Sequence, residues 1–130
     1  LSVREETSSQ LQLDGGWEHE RSPIKKLDVW RRVTVAAVGG AMPDLSQRQM
    51  AILLTVYLTK EPHTVRGLAK GLKISKPAVT RALTALAKLG LIKRLKDKTD
   101  QRNVLVSRTV KGATFLSEFG TLIAACESRA

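Results

Sequence analysis

From Ile74 to Leu95 the chain carries no acidic residue, and within that stretch Lys76, Thr80, Arg81 and Thr84 recur at intervals of four, one and three. On a helix this spacing gathers Pro77, Thr80, Arg81, Thr84 and Lys88 onto one face. Such a face is suited to recognising a polyanion, not to making or breaking bonds. Arg81 offers a planar fork to guanine N7 and O6, while the short side chains of Thr80 and Thr84 approach base edges closely. Lys73, Ser75 and Lys76 lie at the helix start, where an ammonium reaches phosphate. A second cationic group, Lys96, Lys98 and Arg102, falls on a short loop, which suits an arm laid beside a phosphate backbone or into a narrow minor groove. Within that loop Asp100 stands out. Two readings of it remain open from the residues alone: it pairs with Arg102 and fixes the guanidinium direction, or the turn is polar with no fixed pair.

Charge supports the same chemistry. The 130 residues have a formal net charge of +10, and a polyanionic partner rewards such a chain by releasing counterions. The distribution is more telling than the total. Residues 1–20 hold one base against five acids, whereas Lys60 to Lys111 holds fourteen bases against three acids. A merely solvated surface mixes its signs more evenly. With only 4% aromatic residues, a single-strand stacking platform is disfavoured.

Other chemistries find little support. The two histidines, His19 and His63, have no second ligand at metal spacing, so no metal site is expected and no cofactor is implied. No nucleophile elbow, Gly-rich phosphate loop or acid-base carboxylate pair is present, so the chain reads as a binding protein and not an enzyme. Cys126, the one cysteine, excludes an intrachain disulfide; on an apolar stripe it reads as buried or interfacial. No apolar run is long enough to cross a bilayer, and the cytoplasm is the expected compartment.

The elements that must position these residues follow from caps and periods. Residues 1–20 show no sustained period and read as an acidic arm, with Leu11, Leu13 and Trp17 able to dock locally. Ser22-Pro23 starts a first helix with Ile24, Leu27, Trp30, Val33 and Ala37 on one stripe, fading near Gly39-Gly40. Ser46 with Gln49 makes a capping box for a second helix, whose broad apolar set is Met50, Leu53, Leu54, Val56, Tyr57 and Leu58. Thr64 caps a short third helix running to about Leu72, with Val65, Leu68, Ala69 and Leu72 facing the core and Gly71 marking its end. Ser75 begins the fourth, with Val79, Ala82, Leu83 and Leu86 facing inward, and Gly90 stops it in left-handed backbone. Leu91 to about Lys96 and Asn103 to about Ser107 form a hairpin around residues 97–102. Thr109 caps a last helix with Leu116, Phe119, Ile123 and Cys126 on its stripe, widened by Phe115 and Leu122. The expected fold is mainly α with a small β-hairpin: a winged helix-turn-helix with flanking N- and C-terminal helices, in which residues 21–130 form one DNA-binding domain.

The stretch from Leu45 to Gly112 resembles the MarR (multiple antibiotic resistance regulator) family. The resemblance rests on Leu45-Ser46 with Gln49, Ser75 with Val79-Thr80-Arg81 and Leu86, Gly90-Leu91-Ile92, and the wing pattern Asp100-Gln101-Arg102 followed by Val106, Thr109 and Gly112. It implies a homodimeric regulator, most commonly a repressor, reading a near-palindromic duplex with Thr80 and Arg81 in the major groove and Arg102 at the wing tip. It also implies that Asp100 is a structural partner of Arg102. Small phenolic or lipophilic effectors are common in the family, and by analogy Trp30, Tyr57, Phe115 or Phe119 would line such a site. Two departures stand out. Arg108 occupies a position where the family usually has Leu, which predicts a more exposed strand end. About twenty residues follow Thr109, fewer than the family's usual C-terminal arrangement, so dimerisation rests on the stripes of the terminal helices. A second function class stays open: a winged module that docks an acidic protein instead of DNA.

Overall fold

A computed structural model describes residues 23–129. The acidic arm, its Leu11, Leu13 and Trp17, and His19 lie outside the described residues. Two compact units emerge: Pro43–Glu118, and a second built from the stretch up to Met42 together with the chain from Phe119 onward.

In the larger unit, helix α2 (Gln47–Leu58), which follows α1 (Pro23–Gly39) of the smaller unit, opens with the expected capping box. Ser46 Oγ accepts from Gln49 N at 3.1 Å while Ser46 N donates to Gln49 Oε1 at 2.9 Å, which satisfies two orphan backbone donors. Its buried residues are Ile52, Leu53 and Val56, a narrower stripe than the apolar composition predicts. Leu54 and Leu58 are exposed instead, because a helix with one packed side buries residues one and four apart and turns the others outward.

Strand β1 (His63–Thr64) and helix α3 (Val65–Leu72) follow. Thr64 Oγ1 caps α3 by accepting from Gly67 N at 2.9 Å, as expected. The helix ends at Leu72, where the sequence places its end, and Lys73 takes the left-handed conformation at φ 58°, its N–H bonded to Ala69 O. Helix α4 (Lys76–Lys88) is capped by Ser75 Oγ, which accepts from Ala78 N at 3.2 Å. It ends as the sequence predicts: Gly90 has φ +76°, Gly90 N donates to Ala87 O at 2.9 Å and Leu91 N to Leu86 O at 3.0 Å, the paired bonds of a glycine-terminated helix.

Strands β2 (Ile92–Lys96) and β3 (Val104–Arg108) pair antiparallel, from Ile92 opposite Arg108 to Lys96 opposite Val104. The hairpin is part of a three-stranded sheet in the order β1-β3-β2, with His63 opposite Val106 and Thr64 opposite Leu105. The third strand is two residues long, too short to show a period in the sequence. Ile52, Leu53, Val56, Val79, Leu83, Leu86 and Leu91 form the innermost core.

Two polar assemblies tie the unit together. Tyr57 Oη lies 2.7 Å from Leu91 O and accepts from Thr109 N at 2.9 Å; Thr109 Oγ1 donates to Gly90 O at 2.7 Å and accepts from Gly112 N at 2.9 Å. These bonds join α2 to both ends of the hairpin and to the start of α5 (Val110–Ser128). Gly112 is required there, since a Cβ would collide with Tyr57 Oη and Leu91 O. Arg108, the departure from the family pattern, forms the second assembly. Its side chain is 40% exposed, yet its Nε donates to Val56 O at 3.0 Å and its Nη2 to Thr59 O at 3.1 Å. Glu61 Oε1 lies 3.1 Å from Nε. A cation thus supplies donors at the end of α2 where the last carbonyls lack helical partners.

In the smaller unit, α1 (Pro23–Gly39) has the predicted bounds. Val33 is buried, but Leu27 and Trp30 of the same predicted stripe are 54% and 51% exposed, and Val35 and Val38 are exposed as well. Asp28 pairs with Arg31 and Arg32, each at 2.8 Å. Phe119 and Cys126 on α5 are buried, as expected for the cysteine. No helix among the described residues is long and apolar enough to cross a membrane.

Candidate nucleic-acid interface

Helix α4 separates its faces as its sequence dictates. Val79, Ala82, Leu83 and Leu86 are buried, whereas Pro77, Thr80, Arg81, Thr84 and Lys88 are all exposed. Lys73, Ser75 and Lys76 are exposed at its start. The left-handed backbone at Lys73 makes the turn between α3 and α4, so this lysine is both a hinge of the helix-turn-helix and a surface cation. Ser75 spends its oxygen lone pair on the cap and keeps its proton free to donate.

On the hairpin that follows that helix, Lys96, Lys98 and Arg102 are exposed. The connecting turn is held by its own acids. Asp97 Oδ1 accepts from Thr99 N at 2.9 Å and from Thr99 Oγ1 at 2.7 Å, and Asp97 N donates to Asn103 O at 3.2 Å. The Thr99 hydroxyl, and then its backbone N–H, hold the Asp97 carboxyl below the usual carboxylate range by favouring its charged form. Asp100 does two jobs of unequal strength. Its Oδ1 accepts from the Arg102 backbone N at 3.1 Å, while the Arg102 Nε stands 3.9 Å away. The expected pair therefore exists but is loose. Asp100 directs the backbone of Arg102, and the guanidinium, 91% exposed, is left outward.

One side chain bonded to the exposed face of α4 escaped the sequence reading. Arg94, exposed on β2, donates from Nη1 to Thr84 Oγ1 at 3.0 Å, and Thr84 Oγ1 in turn donates to Thr80 O at 2.9 Å. The hydroxyl of Thr84, expected to meet bases, is committed to linking helix and wing. Alternation from buried Ile92 places Arg94 on the same strand face as that core residue, and this was the available signal.

Among the described residues no group of three His, Cys, Asp or Glu is arranged to hold a metal ion. A cavity of about 410 Å³ opens beside α3, lined by Thr55, Pro62, His63, Leu68, Gly71 and Leu72 among others. None of Trp30, Tyr57, Phe115 or Phe119 lines it; Tyr57 is occupied at the base of the wing.

Helix, turn, recognition helix and basic hairpin define a winged helix-turn-helix. Residues 45–104 match the MarR family model. Among solved structures the chain is similar to a C30AH42A mutant of ZitR from Lactococcus lactis, with 34% identity, coverage of 67% of this chain and 58% of that one, and a TM-score of 0.57. It is also similar to the adhesin competence repressor (AdcR) from Streptococcus pyogenes, with 28% identity, coverage of 75% and 70%, and a TM-score of 0.53. Wild-type MarR (apo form) from E. coli gives 25% identity, coverage of 77% and 71%, and a TM-score of 0.60. The chain spans less than two thirds of ZitR. No curated protein sequence matches it. Residues 45–104 thus form a MarR-family domain with the winged helix-turn-helix of a DNA-binding transcriptional regulator.

Proposed function

We propose that the chain is a cytoplasmic repressor that binds a near-palindromic duplex as a homodimer. Helix α4 enters the major groove, where Thr80 and Arg81 meet base edges; Lys73, Ser75, Lys76, Pro77, Lys96 and Lys98 set the backbone, and Arg102 reaches the adjacent minor groove. The observation that carries this reading is the exposed, acid-free face of α4 beside an exposed cationic wing. The repressor role is supported by the name of the Streptococcus pyogenes relative. Within residues 21–130 the terminal helices supply the dimer region, supported by Leu27, Trp30, Val35 and Val38 standing exposed on α1, and residues 1–20 form a separate acidic arm. An effector of the small phenolic class has room in the 410 Å³ cavity.

Duplex titration against salt, paired with two substitutions, tests the reading. Arg81→Ala is expected to cost about 1 to 3 kcal/mol on a selected operator and to relax base preference, whereas Lys98→Ala weakens every duplex alike and lowers the salt slope. Equal loss on operator and random duplex for Arg81→Ala overturns the division of labour. A flat salt response would instead favour docking of an acidic protein. Sedimentation showing only monomer at micromolar protein would remove the dimer.

A further inference from the structure

We propose that Arg94 is a DNA-contacting residue in its own right, latched by Thr84 so that its guanidinium grips the phosphate backbone at the seam between recognition helix and wing. The inference rests on the regulator reading above and adds a contact and a coupling that reading lacks.

The seam is where a backbone must pass. When a helix occupies a major groove and a hairpin reaches the neighbouring minor groove, one phosphate strand runs between them. Arg94 stands on β2, the strand that rises from the end of α4, and is exposed. A guanidinium has five N–H donors in a rigid plane, and among the described residues one of them is bonded, to Thr84. The remaining fork matches two phosphate oxygens.

Thr84 gives the bond its direction. Its proton goes to Thr80 O one helical turn back, which fixes the oxygen so that a lone pair faces Arg94. The relay from Arg94 to Thr84 to the Thr80 carbonyl holds a long flexible side chain in one pose before DNA arrives, lowering the ordering cost of a phosphate contact. It also explains why a threonine is useful at a position pointing toward the groove without a free hydroxyl to read a base. Arg94 contacts DNA directly; Thr84 acts as a positioning residue.

The test uses fluorescence anisotropy of the full chain on a fluorescein-labelled mixed-sequence duplex, titrated over a range of salt, for the parent chain, Arg94→Ala, Thr84→Val, Thr84→Ser and the double variant Arg94→Ala/Thr84→Val. Both side chains are exposed, and circular dichroism confirms folding. Arg94→Ala is expected to weaken binding roughly tenfold and to reduce the slope of log affinity against log salt by about one. Thr84→Val is expected to weaken binding roughly threefold with the slope unchanged, because the phosphate contact survives without its latch. Thr84→Ser restores parent affinity, and the double variant matches Arg94→Ala alone. An unchanged slope in Arg94→Ala, or single losses that multiply in the double variant, overturns the proposal while the regulator reading stands. A parent chain that shows no salt-dependent duplex binding overturns both.

Discussion

The base and the tip of the wing are built on opposite principles. At the base, Tyr57, Leu91, Thr109, Gly90 and Gly112 are joined by hydrogen bonds between residues as many as 52 positions apart. At the tip, the bonds of Asp97 with Thr99 and of Asp100 with Arg102 each reach only two positions along the chain. The base fixes where the wing sits, and its groups are part-buried, so losing a partner exposes a desolvated donor or acceptor. The tip fixes only which way a few side chains leave the turn, and water competes for every bond there. Stability should therefore reside at the base and recognition at the tip.

Substitutions can break that contrast, beginning with the most severe. Gly112→Ala drives a methyl group into Tyr57 Oη and Leu91 O, with an expected loss of about 3 kcal/mol or more, visible as a large fall in thermal midpoint. Tyr57→Phe leaves Thr109 N–H and Leu91 C=O without their partner, an expected cost of about 2 kcal/mol by urea unfolding, with the denaturant slope unchanged. If either variant is as stable as the parent chain, the base is not the anchor. Asp100→Ala, by contrast, is expected to change stability by less than about 0.5 kcal/mol while reducing duplex affinity a few-fold, because Arg102 loses its directed backbone. A stability loss comparable to that of Tyr57→Phe would erase the distinction between base and tip.

The smallest effect concerns acid. The carboxyl of Asp97 titrates below its ordinary value chiefly because Thr99 donates to the charged form. A depressed carboxylate contributes order that is present above its unfolded value and lost as pH falls through the folded value. Carbon-13 titration should show the Asp97 carboxyl protonating below the ordinary range and Thr99→Ala moving it upward, with the base of the wing unaffected over the same window. A simultaneous change at Tyr57 would show that tip and base are coupled.

Much of this was legible in the sequence because it is local. Ser46, Thr64 and Ser75 announce helix starts by their own hydrogen-bonding chemistry, Gly90 announces a stop, and the faces of α4 follow from a period of 3.6. What escaped depends on distant partners. The strand β1 is visible only once β3 lies beside it. Arg108 reads as an anomaly at the end of a strand until the carbonyl end of α2 is placed next to it. The end of α3 was legible, but the left-handed turn after it falls on Lys73, a residue whose type does not announce it. The exposed Leu58 and buried Ile52 reverse the sequence expectation because composition counts apolar residues without saying which side is packed. For the interface, the cations were legible as a group, but the bond from Arg94 to Thr84 depends on how β2 lies against α4.

Among the described residues the strand order β1-β3-β2 leaves β2 with one unpaired edge, and Lys93, Arg94, Leu95 and Lys96 of that strand are all exposed. Open edges invite a second chain to add a strand, and like charge is a common defence. Three cations among four residues repel the matching edge of another molecule, so crowded copies resist zipping into aggregates.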